Sequence, residues 1–416
     1  MNAMTMRLSD LCDFVGVQVD PSSRDDDIYL GLEHVTPGRF VTNGEGKASD
    51  VQSSKYVFQR GDVLYGKLRP YLDKAILAAG AGICTTELLV LRPKEFVDPR
   101  FLVGVVHAPS FVEHAIAGTT GVQHPRTSWN HIREFELPAF EPGEQTKIAN
   151  LLWQVHDSLI ANEAAIEAGS DLKRAAMRAL FTKGLRCEGQ KDTAIGPVPE
   201  SWDVVALGSL GRIGSGTTPD RKNADFWRDG SIPWVTSGRM YEREINGSDV
   251  CVTALAIENS SLPMLTPGAV LIAIVGQGKT LGHCALLSVE ATVSRHVGFV
   301  QPDQAVILPA YLRGYLEGQY DHLRQLASGN GSTRAALTGG ILKSVRVPLP
   351  PTLDEQQEIV AILDAIDRKI DLHRRKRAVL DELFKSLLNK VMTGEIRVAD
   401  LDLSALEPVK AKEATA

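Results

Sequence analysis

Apolar residues in two segments of the chain recur at alternating steps of four and three residues. The first ladder is Ile148, Leu152, Val155, Leu159, Asn162, Ile166, Gly169, Lys173, Ala176, Leu180. The second is Ile359, Leu363, Ile366, Ile370, His373, Arg377, Leu380, Phe384, Leu387, Val391. This spacing is that of the a/d seam of a coiled coil. It predicts two helices of about forty residues, each about 60 Å long at ~1.5 Å per residue.

The two ladders belong to an internal repeat. Leu137–Arg186 aligns with Val347–Arg397, and Glu144 aligns with Glu355 at an offset of 355 − 144 = 211. The aligned polar seam positions, Asn162 and His373, would weaken a helix pair while fixing its register. The shared register favours one paired assembly, and the alternative is two unrelated amphipathic helices on separate cores.

Local signals mark where each predicted helix begins. Pro142 suits the first helical position of the first helix. In the second, Thr352 is predicted to be the N-cap and Glu355 to reach back to it as a capping box.

The segments before the helices, residues 7–137 and 200–347, contain short β-like runs separated by turn residues. They correspond loosely to one another: "QRGDVLYGKLRPYLDKAILA" parallels "TPGAVLIAIVGQGKTLGHCALL". A linker is predicted near Cys187–Trp202, and the final "ALEPVKAKEATA" is predicted to be disordered.

Composition places the chain among ordinary soluble proteins, with 44% hydrophobic and 23% charged residues. We see no signal peptide and no transmembrane span in the sequence, and we expect a cytoplasmic protein. The five cysteines are scattered, which disfavours a disulfide framework and a zinc site. A net charge of −6 argues only mildly against a nucleic-acid partner, because a basic surface can coexist with acidic helices.

Several motifs together resemble the DNA specificity subunit of type I restriction–modification systems. They are a proline-rich strand followed by "EQ..I" at the start of each long helix, "PESWDVVALGSLGRIGSGTTP", "IPWVTSG", and a Gly/Ser/Thr stretch before each helix. The resemblance covers nearly the whole chain.

This resemblance implies an α+β fold with a pseudo-two-fold internal repeat, in which two long helices pair as an antiparallel coiled coil and join two β-rich target recognition domains. The expected boundaries are residues 1–138 for the first recognition domain, 139–186 for the first spacer helix, 187–348 for the linker and second recognition domain, 349–397 for the second spacer helix, and 398–416 for a disordered tail.

The resemblance also implies a protein without catalysis of its own. Each recognition domain would read one half of a bipartite double-stranded DNA target, while the helices set the spacing and dock two adenine-N6 methyltransferase subunits. Restriction subunits carrying the motor and nuclease could join them. The chain itself is expected to bind no cofactor or metal, whereas the partner subunits would use S-adenosylmethionine, and ATP with Mg for restriction.

Polar and basic loop residues are the candidates for DNA contact, because Arg can read guanine, Gln or Asn can read adenine, and Lys and Thr more often meet phosphate. In the first recognition domain they are Lys67, Arg69, Tyr71, Lys74, Thr85, Thr86, Glu87, Thr119, Thr120, Gln123, His124 and Arg126. In the second they are Ser215, Thr217, Thr218, Arg221, Lys222, Thr236, Ser237, Arg239, Gln277, Lys279, Arg295, His296, Asn330, Ser332, Thr333 and Arg334. The alternative for each is a solvated loop residue. Trp234 could equally be a core aromatic, and His296 a structural histidine.

The stretch "LIAIVGQGKTLG", residues 271–282, offers a different function, a phosphate-binding loop in a nucleotide-binding enzyme. Such a loop needs a glycine five positions before Gly278, where this chain has Ala273, and a helix after Thr280. The following "LGHCALLSVEATVS" is more consistent with a returning strand. A third hypothesis, that the chain itself methylates or cuts DNA, lacks the expected cofactor and acidic motifs.

Overall fold

The computed structural model describes residues 5–276, 278–328 and 335–398. The helices are α1 Leu8–Leu11, α2 Pro99–His107, α3 Pro109–Ala117, α4 Trp129–Ile132, α5 Pro142–Lys183, α6 Ala254–Ser260, α7 Pro309–Gly318, α8 Tyr320–Ser328, α9 Gly339–Ser344 and α10 Leu353–Met392. Within the described ranges, no helix is both long and apolar enough to cross a membrane. The predicted disordered tail lies outside the described residues, except for Val398.

Many short strands lie between the helices. They are β1 Thr5–Arg7, β2 Cys12–Phe14, β3 Gln18–Val19, β4 Ile28–Leu30, β5 Gly46–Lys47, β6 Lys55–Phe58, β7 Val63–Gly66, β8 Ala75–Leu77, β9 Gly82–Cys84, β10 Leu88–Pro93, β11 Glu136–Pro138, β12 Gln190–Thr193, β13 Gly196–Pro199, β14 Asp203–Ala206, β15 Gly211–Ser215, β16 Ile232–Val235, β17 Glu244–Ile245, β18 Cys251–Val252, β19 Val270–Ala273, β20 Cys284–Leu287, β21 Thr292–Val293, β22 Val297–Pro302 and β23 Arg346–Leu349. The mixture of sheets and helices is the predicted α+β class.

The chain divides into two compact units, and each contains one part of each long helix. One unit is formed by the described residues of Met1–Ala165 and His373–Ala416. The other is formed by those of Ile166–Leu372. The first long helix, α5, has 42 residues and the second, α10, has 40, close to the predicted length.

Within each unit the parts of α5 and α10 pack antiparallel. In the first unit His156 lies 6.0 Å from Phe384 between ring centroids, and Asn162 Oδ1 lies 2.9 Å from His373 Nδ1. An amide oxygen only accepts hydrogen bonds, so Nδ1 of His373 is the donor. The two polar seam positions recognised in the sequence therefore meet each other, which suits a role in fixing register.

The parts of α5 and α10 in the second unit are also antiparallel. Lys173 Nζ lies 2.8 Å from Asp367 Oδ1, and the backbone N–H of Leu185 donates to Glu355 Oε1 at 3.3 Å. Most predicted seam residues are buried or half-buried, but the side chain of Arg377 is 52% exposed and therefore lies outside the seam.

The starts of the long helices differ in detail from the predicted caps. Pro142 is the first residue of α5, as predicted. Thr352 Oγ1 accepts from the N–H of Glu355 at 3.3 Å, so Thr352 does act as a cap for α10. The Glu355 carboxylate, however, accepts from Leu185 instead of reaching back to Thr352. Only one of the two hydrogen bonds of the predicted capping box forms, because the Glu355 carboxylate accepts from Leu185, which is distant in sequence.

The β-rich regions before the two helices repeat one strand order. The first contains a sheet in the order β2-β10-β7-β8, and the second contains β15-β22-β19-β20-β17. Strand β7 therefore corresponds to β19, β8 to β20, and β10 to β22, which is the loose correspondence predicted from the sequence. Each region also has one parallel pair in another sheet, β4 with β9 and β16 with β21.

The predicted linker near Cys187–Trp202 contains a β-hairpin. Gln190–Thr193 pairs antiparallel with Gly196–Pro199, and Gly196 has a φ of 96°, which favours glycine. Val198 and Trp202 are buried, so part of this segment packs into the unit. The hairpin itself was not predicted, because its strand Gln190–Thr193 is polar and lacks an apolar alternation.

Because His156 on α5 is buried, we expect the stability of the fold to depend on pH. His156 stacks on Phe40 with ring centroids 4.9 Å apart, and its Nε2 accepts from the N–H of Phe40 at 3.0 Å. Burial lowers the pKa of His156 to about 4. The unfolded chain therefore binds a proton more readily than the folded chain between pH 6.5 and 4. As the pH is lowered from 6.5 to 4, the free energy of unfolding is therefore expected to fall. This group contributes at most about 1.4 kcal/mol per pH unit to that fall.

Chemical denaturation at pH 7, 6, 5 and 4 would measure this effect. The matched control is His156→Gln, which cannot titrate and should lose the part of the pH dependence that His156 supplies. Equal pH dependence in the original chain and the variant would contradict the prediction.

Candidate nucleic-acid interface

Three loops of the first β-rich region, residues 5–138, come together. Lys67, just after β7, donates its N–H to the carbonyl of Glu87 at 2.9 Å. The N–H of Thr127 donates to the carbonyl of Lys67 at 3.0 Å, and that of Arg69 donates to Pro125 at 2.7 Å. We call residues 67–74, 85–87 and 119–126 the first loop surface. The structure thus brings together the three groups of candidates that were separate in the sequence.

An ion pair joins two of the candidates on the first loop surface. Arg126 Nε lies 3.0 Å from Glu87 Oε2, and Arg126 Nη2 lies 3.1 Å from Glu87 Oε1. Arg126 Nη1 also donates to the carbonyl of His124 at 3.2 Å. The Arg126 side chain is 44% exposed and that of Glu87 is 26% exposed. Hydrogen bonding to Glu87 raises the pKa of the Arg126 guanidinium.

Other candidates on the first loop surface differ in how far they are available to a ligand. Arg69 has a left-handed backbone with φ of 51°, and its Nη2 donates to the carbonyl of Gln123 at 3.3 Å. Tyr71 is 53% exposed. The exposed candidates also include Thr120, Gln123 and His124, whereas Thr85, Thr86 and Thr119 are half-buried.

Lys74 is directed inward. Its Nζ donates to the carbonyl of Leu32 at 2.5 Å, which makes it a support for the loop in this structure. Val122, which the sequence did not single out, is 99% exposed at the tip of the loop. Only its position directly after Gly121, which has a φ of 91°, could have indicated it.

Four loops of the second β-rich region, residues 203–349, come together in a comparable way. The N–H of Gly216 donates to the carbonyl of Val297 at 3.1 Å, and that of Ser294 donates to Val235 at 2.9 Å. The N–H of Ile274 donates to the carbonyl of His296 at 3.0 Å. We call residues 215–222, 236–239, 278–280 and 294–296 the second loop surface.

Arg221 packs against two tryptophans on the second loop surface. Its guanidinium carbon lies 5.2 Å from the ring centroid of Trp227 and 5.4 Å from that of Trp234. Trp234 is 2% exposed, so it is a core aromatic. A shallow pocket is lined by Arg221, Ala224, Trp227 and Arg228. Trp227 and Arg228 were not among the predicted residues, although the basic and aromatic residues in "RKNADFWR" were a signal for them.

The remaining candidates of this surface are partly engaged. Arg239 donates to both carboxylate oxygens of Glu242, at 2.6 and 2.7 Å, and to the carbonyl of Gly247. The hydrogen bonds from Arg239 lower the pKa of Glu242. Arg239 thus makes the same kind of two-point contact with a carboxylate that Arg126 makes with Glu87, and its contact with DNA stays a prediction. The exposed candidates are Ser215, Lys222, Lys279 and Arg295, and the half-buried ones are Thr217, Thr218, Thr236, Ser237 and His296.

Three side chains hold the turn at Gly278–Leu281, and the sequence analysis missed all of them. Tyr320 donates its hydroxyl to the carbonyl of Lys279 at 2.6 Å, and Arg324 Nη1 donates to that of Gly278 at 2.8 Å. The hydroxyls of Tyr241 and Thr280 lie 3.0 Å apart. The chain after this turn forms β20, antiparallel to β19, whereas a phosphate-binding loop of the Walker type opens a helix.

Five predicted residues, Gln277, Asn330, Ser332, Thr333 and Arg334, lie outside the described residues. The cysteines are free, and burial raises the pKa of Cys84 and of Cys284 to about 12. These two thiols are therefore poor nucleophiles.

The two loop surfaces carry different side chains at equivalent backbone positions. Leu68 bridges to Arg126 in the first region, and Val275 bridges to Ala336 in the second. The N–H of Thr85 donates to Leu30 at the end of β4, as that of Ser294 does to Val235 at the end of β16. By this correspondence Ala336 stands in the place of Arg126, and His296 in the place of Glu87.

Comparisons with known proteins agree on one family. Residues 199–382 match the family described as "Type I restriction modification DNA specificity domain". The type I restriction enzyme MjaVIII specificity subunit of Methanocaldococcus jannaschii is 25% identical over 340 residues, which cover 77% of this chain and 76% of that protein.

Solved structures share the fold. The S subunit of a type I restriction–modification system from M. genitalium superimposes with a TM-score of 0.58 at 17% identity, covering 94% of this chain and 96% of that one. A chain solved in work on the complex assembly and conformational transition of a type I system gives a TM-score of 0.59 at 20% identity, covering 95% and 99%. At such identities these likenesses establish the fold alone.

Proposed function

Because the chain belongs to the family of type I restriction–modification DNA specificity subunits, we propose that its two loop surfaces each read one half of a bipartite DNA target. The chain is the sequence-specific, non-catalytic DNA-binding subunit of such a system. One observation supports the division into two half-sites. The two β-rich regions repeat a strand order and bring equivalent loops together, yet those loops carry different side chains. Divergent side chains on a repeated frame suit two readers of different sequences.

We propose that the paired parts of α5 and α10 set the separation of the half-sites and dock the modification subunits. The seam gives the helices a fixed register through Asn162 and His373. Their outward faces carry exposed apolar residues, with Val379 64% exposed and Leu172 59% exposed. Exposed apolar residues on a helix are the material of a protein–protein interface.

The partners in this proposal are two adenine-N6 methyltransferase subunits that use S-adenosylmethionine. Restriction subunits that use ATP and Mg would join the same complex, and the complex would act in the cytoplasm. The net charge of −6 is compatible with DNA binding, because exposed Lys222, Lys279 and Arg295 concentrate positive charge on the second loop surface.

Selection from a random-sequence DNA library tests this function. The full chain, with and without modification subunits, is expected to enrich two short sequence blocks separated by a spacer of fixed length. Single-molecule sequencing of the source genome should show adenine methylation within the same motif. Enrichment of no sequence at all would contradict the proposed function. Micromolar ATP binding abolished by Lys279→Ala would favour the nucleotide-binding alternative.

A further inference from the structure

The hydrogen bonds of Arg126 leave two donors in the plane of its guanidinium. Arginine has five N–H groups. The group on Nε and one on Nη2 point to Glu87, and one on Nη1 points to the carbonyl of His124. One N–H therefore remains on Nη1 and one on Nη2. The described residues supply no acceptor for either.

The backbone of Arg126 is also held by hydrogen bonds. The N–H of Arg126 donates to the carbonyl of Thr120 at 3.0 Å, and the N–H of Thr120 donates back to Arg126 at 3.0 Å. Leu68 pairs with Arg126 from the neighbouring turn. Arg126 is thus held at its backbone and at its side chain before any ligand arrives, and preorganisation reduces the entropy lost on binding.

The charges of the Arg126–Glu87 pair favour a base over a phosphate as the ligand. Glu87 neutralises Arg126 through a two-point contact and would repel a phosphate placed beside it. A contact that positions phosphate needs a net positive charge and no particular plane. A contact that reads a base edge needs two coplanar donors in a fixed orientation, as in the pairing of arginine with guanine O6 and N7.

We propose that Arg126 reads one guanine from the major groove, and that Glu87 is a positioning residue which fixes the plane of the arginine. The inference deepens the proposed function and rests on it. Because Ala336 and His296 occupy the equivalent places in the second region, this guanine belongs to the half-site read by the first loop surface. The second half-site has no arginine–carboxylate pair at the corresponding position.

The test uses the full chain, in complex with its modification subunits where they are needed for binding. Library selection is repeated with Arg126→Ala, Arg126→Lys and Glu87→Gln. Arg126→Ala should reduce the preference for G·C at one position of one half-site by roughly 5- to 150-fold, the range of a bidentate contact. Arg126→Lys should also lose most of this preference, because an ammonium lacks the planar fork.

The positioning role of Glu87 has its own readout. Glu87→Gln should weaken discrimination at the same position, while it raises affinity for unrelated DNA because a negative charge is removed. A merely structural role would leave the discrimination at that position unchanged. The second half-site is the internal control, and its preferences should stay unchanged in all three variants. Equal thermal melting temperatures would show that the variants fold.

The outcomes separate this inference from the proposed function. An evenly lower affinity for all sequences, with a weaker salt dependence in Arg126→Ala, would identify a phosphate contact and overturn the inference. The inference is also overturned if the original chain selects a bipartite target and Arg126→Ala relaxes none of its positions. An original chain that selects no sequence would overturn the proposed function and the inference together.

Discussion

Replacing Lys173 by methionine is expected to lower the free energy of unfolding by about 1.5–3 kcal/mol. Lys173 Nζ lies 2.6 Å from Glu317 Oε1 and 2.8 Å from Asp367 Oδ1. The side chains of Lys173 and Asp367 are each only 11% exposed. Removing the ammonium takes one cation from this network, while Arg313 Nη2 still lies 3.1 Å from Glu317 Oε2 and Arg243 Nη1 3.3 Å from Asp367 Oδ2. The expected loss is therefore that of hydrogen bonds between charged groups with little exposure to water.

Chemical denaturation of the full chain measures this loss. Arg174→Met is the matched control on the next residue of α5, because Arg174 is 74% exposed and forms an ion pair with the exposed Asp171. The control should lose no more than about 1 kcal/mol. Lys173→Met combined with Asp367→Leu should lose less than the two single changes added together, since it removes both opposed charges. A loss in Lys173→Met as small as in the control would refute the assignment of a buried network.

The same ion pair shows how the two parts of the helix pair differ. At the repeat offset, Lys173 corresponds to Phe384 because 173 + 211 = 384, and His156 corresponds to Asp367 because 156 + 211 = 367. An aromatic pair in one unit thus stands where the other has an ion pair. The internal repeat preserves the backbone pairing, while each part of the seam has its own chemistry.

Local patterns explain why the helices and the repeat could be predicted. The seam of α5 and α10 is encoded in spacing along the chain, and Pro142 and Thr352 mark the starts within one or two residues. Glu355 shows the limit, because its capping partner was replaced by Leu185, which is distant in sequence. Likewise, the polar strand Gln190–Thr193 lacks the period-two pattern that indicates a half-buried strand.

The candidate site could be predicted as a set of loops but not as a set of contacts. Residue types alone placed Glu87 and Arg126 among the candidates, while their pairing depends on the junction of loops 39 residues apart. The inward turn of Lys74 and the neutralisation of Arg239 by Glu242 follow from nearby acceptors that the sequence does not identify. Trp227 lies close to Arg221 in the sequence, but their contact depends on how this loop folds.

Replacing Lys222, Lys279 and Arg295 together by alanine is expected to lower DNA affinity by about 10²-fold at about 0.15 M salt. All three are exposed on the second loop surface. Each contacted phosphate contributes a slope of about −0.9 to log K against log salt, so the slope should become less steep by roughly 2.7. Binding to a fixed duplex, measured from about 0.05 to 0.3 M salt by fluorescence anisotropy, provides both quantities.

The matched control removes the same charge elsewhere in that unit. Arg178, Arg368 and Lys369 are exposed on the long helices, and their replacement by alanine changes the net charge equally. If general charge governs binding, both triple variants lose affinity alike, which would contradict a localised phosphate-binding surface. If the second loop surface contacts the DNA phosphates, only the variant lacking Lys222, Lys279 and Arg295 should show a less steep dependence of log K on log salt. Its sequence preferences should persist, because phosphate contacts position the protein and base contacts specify the sequence.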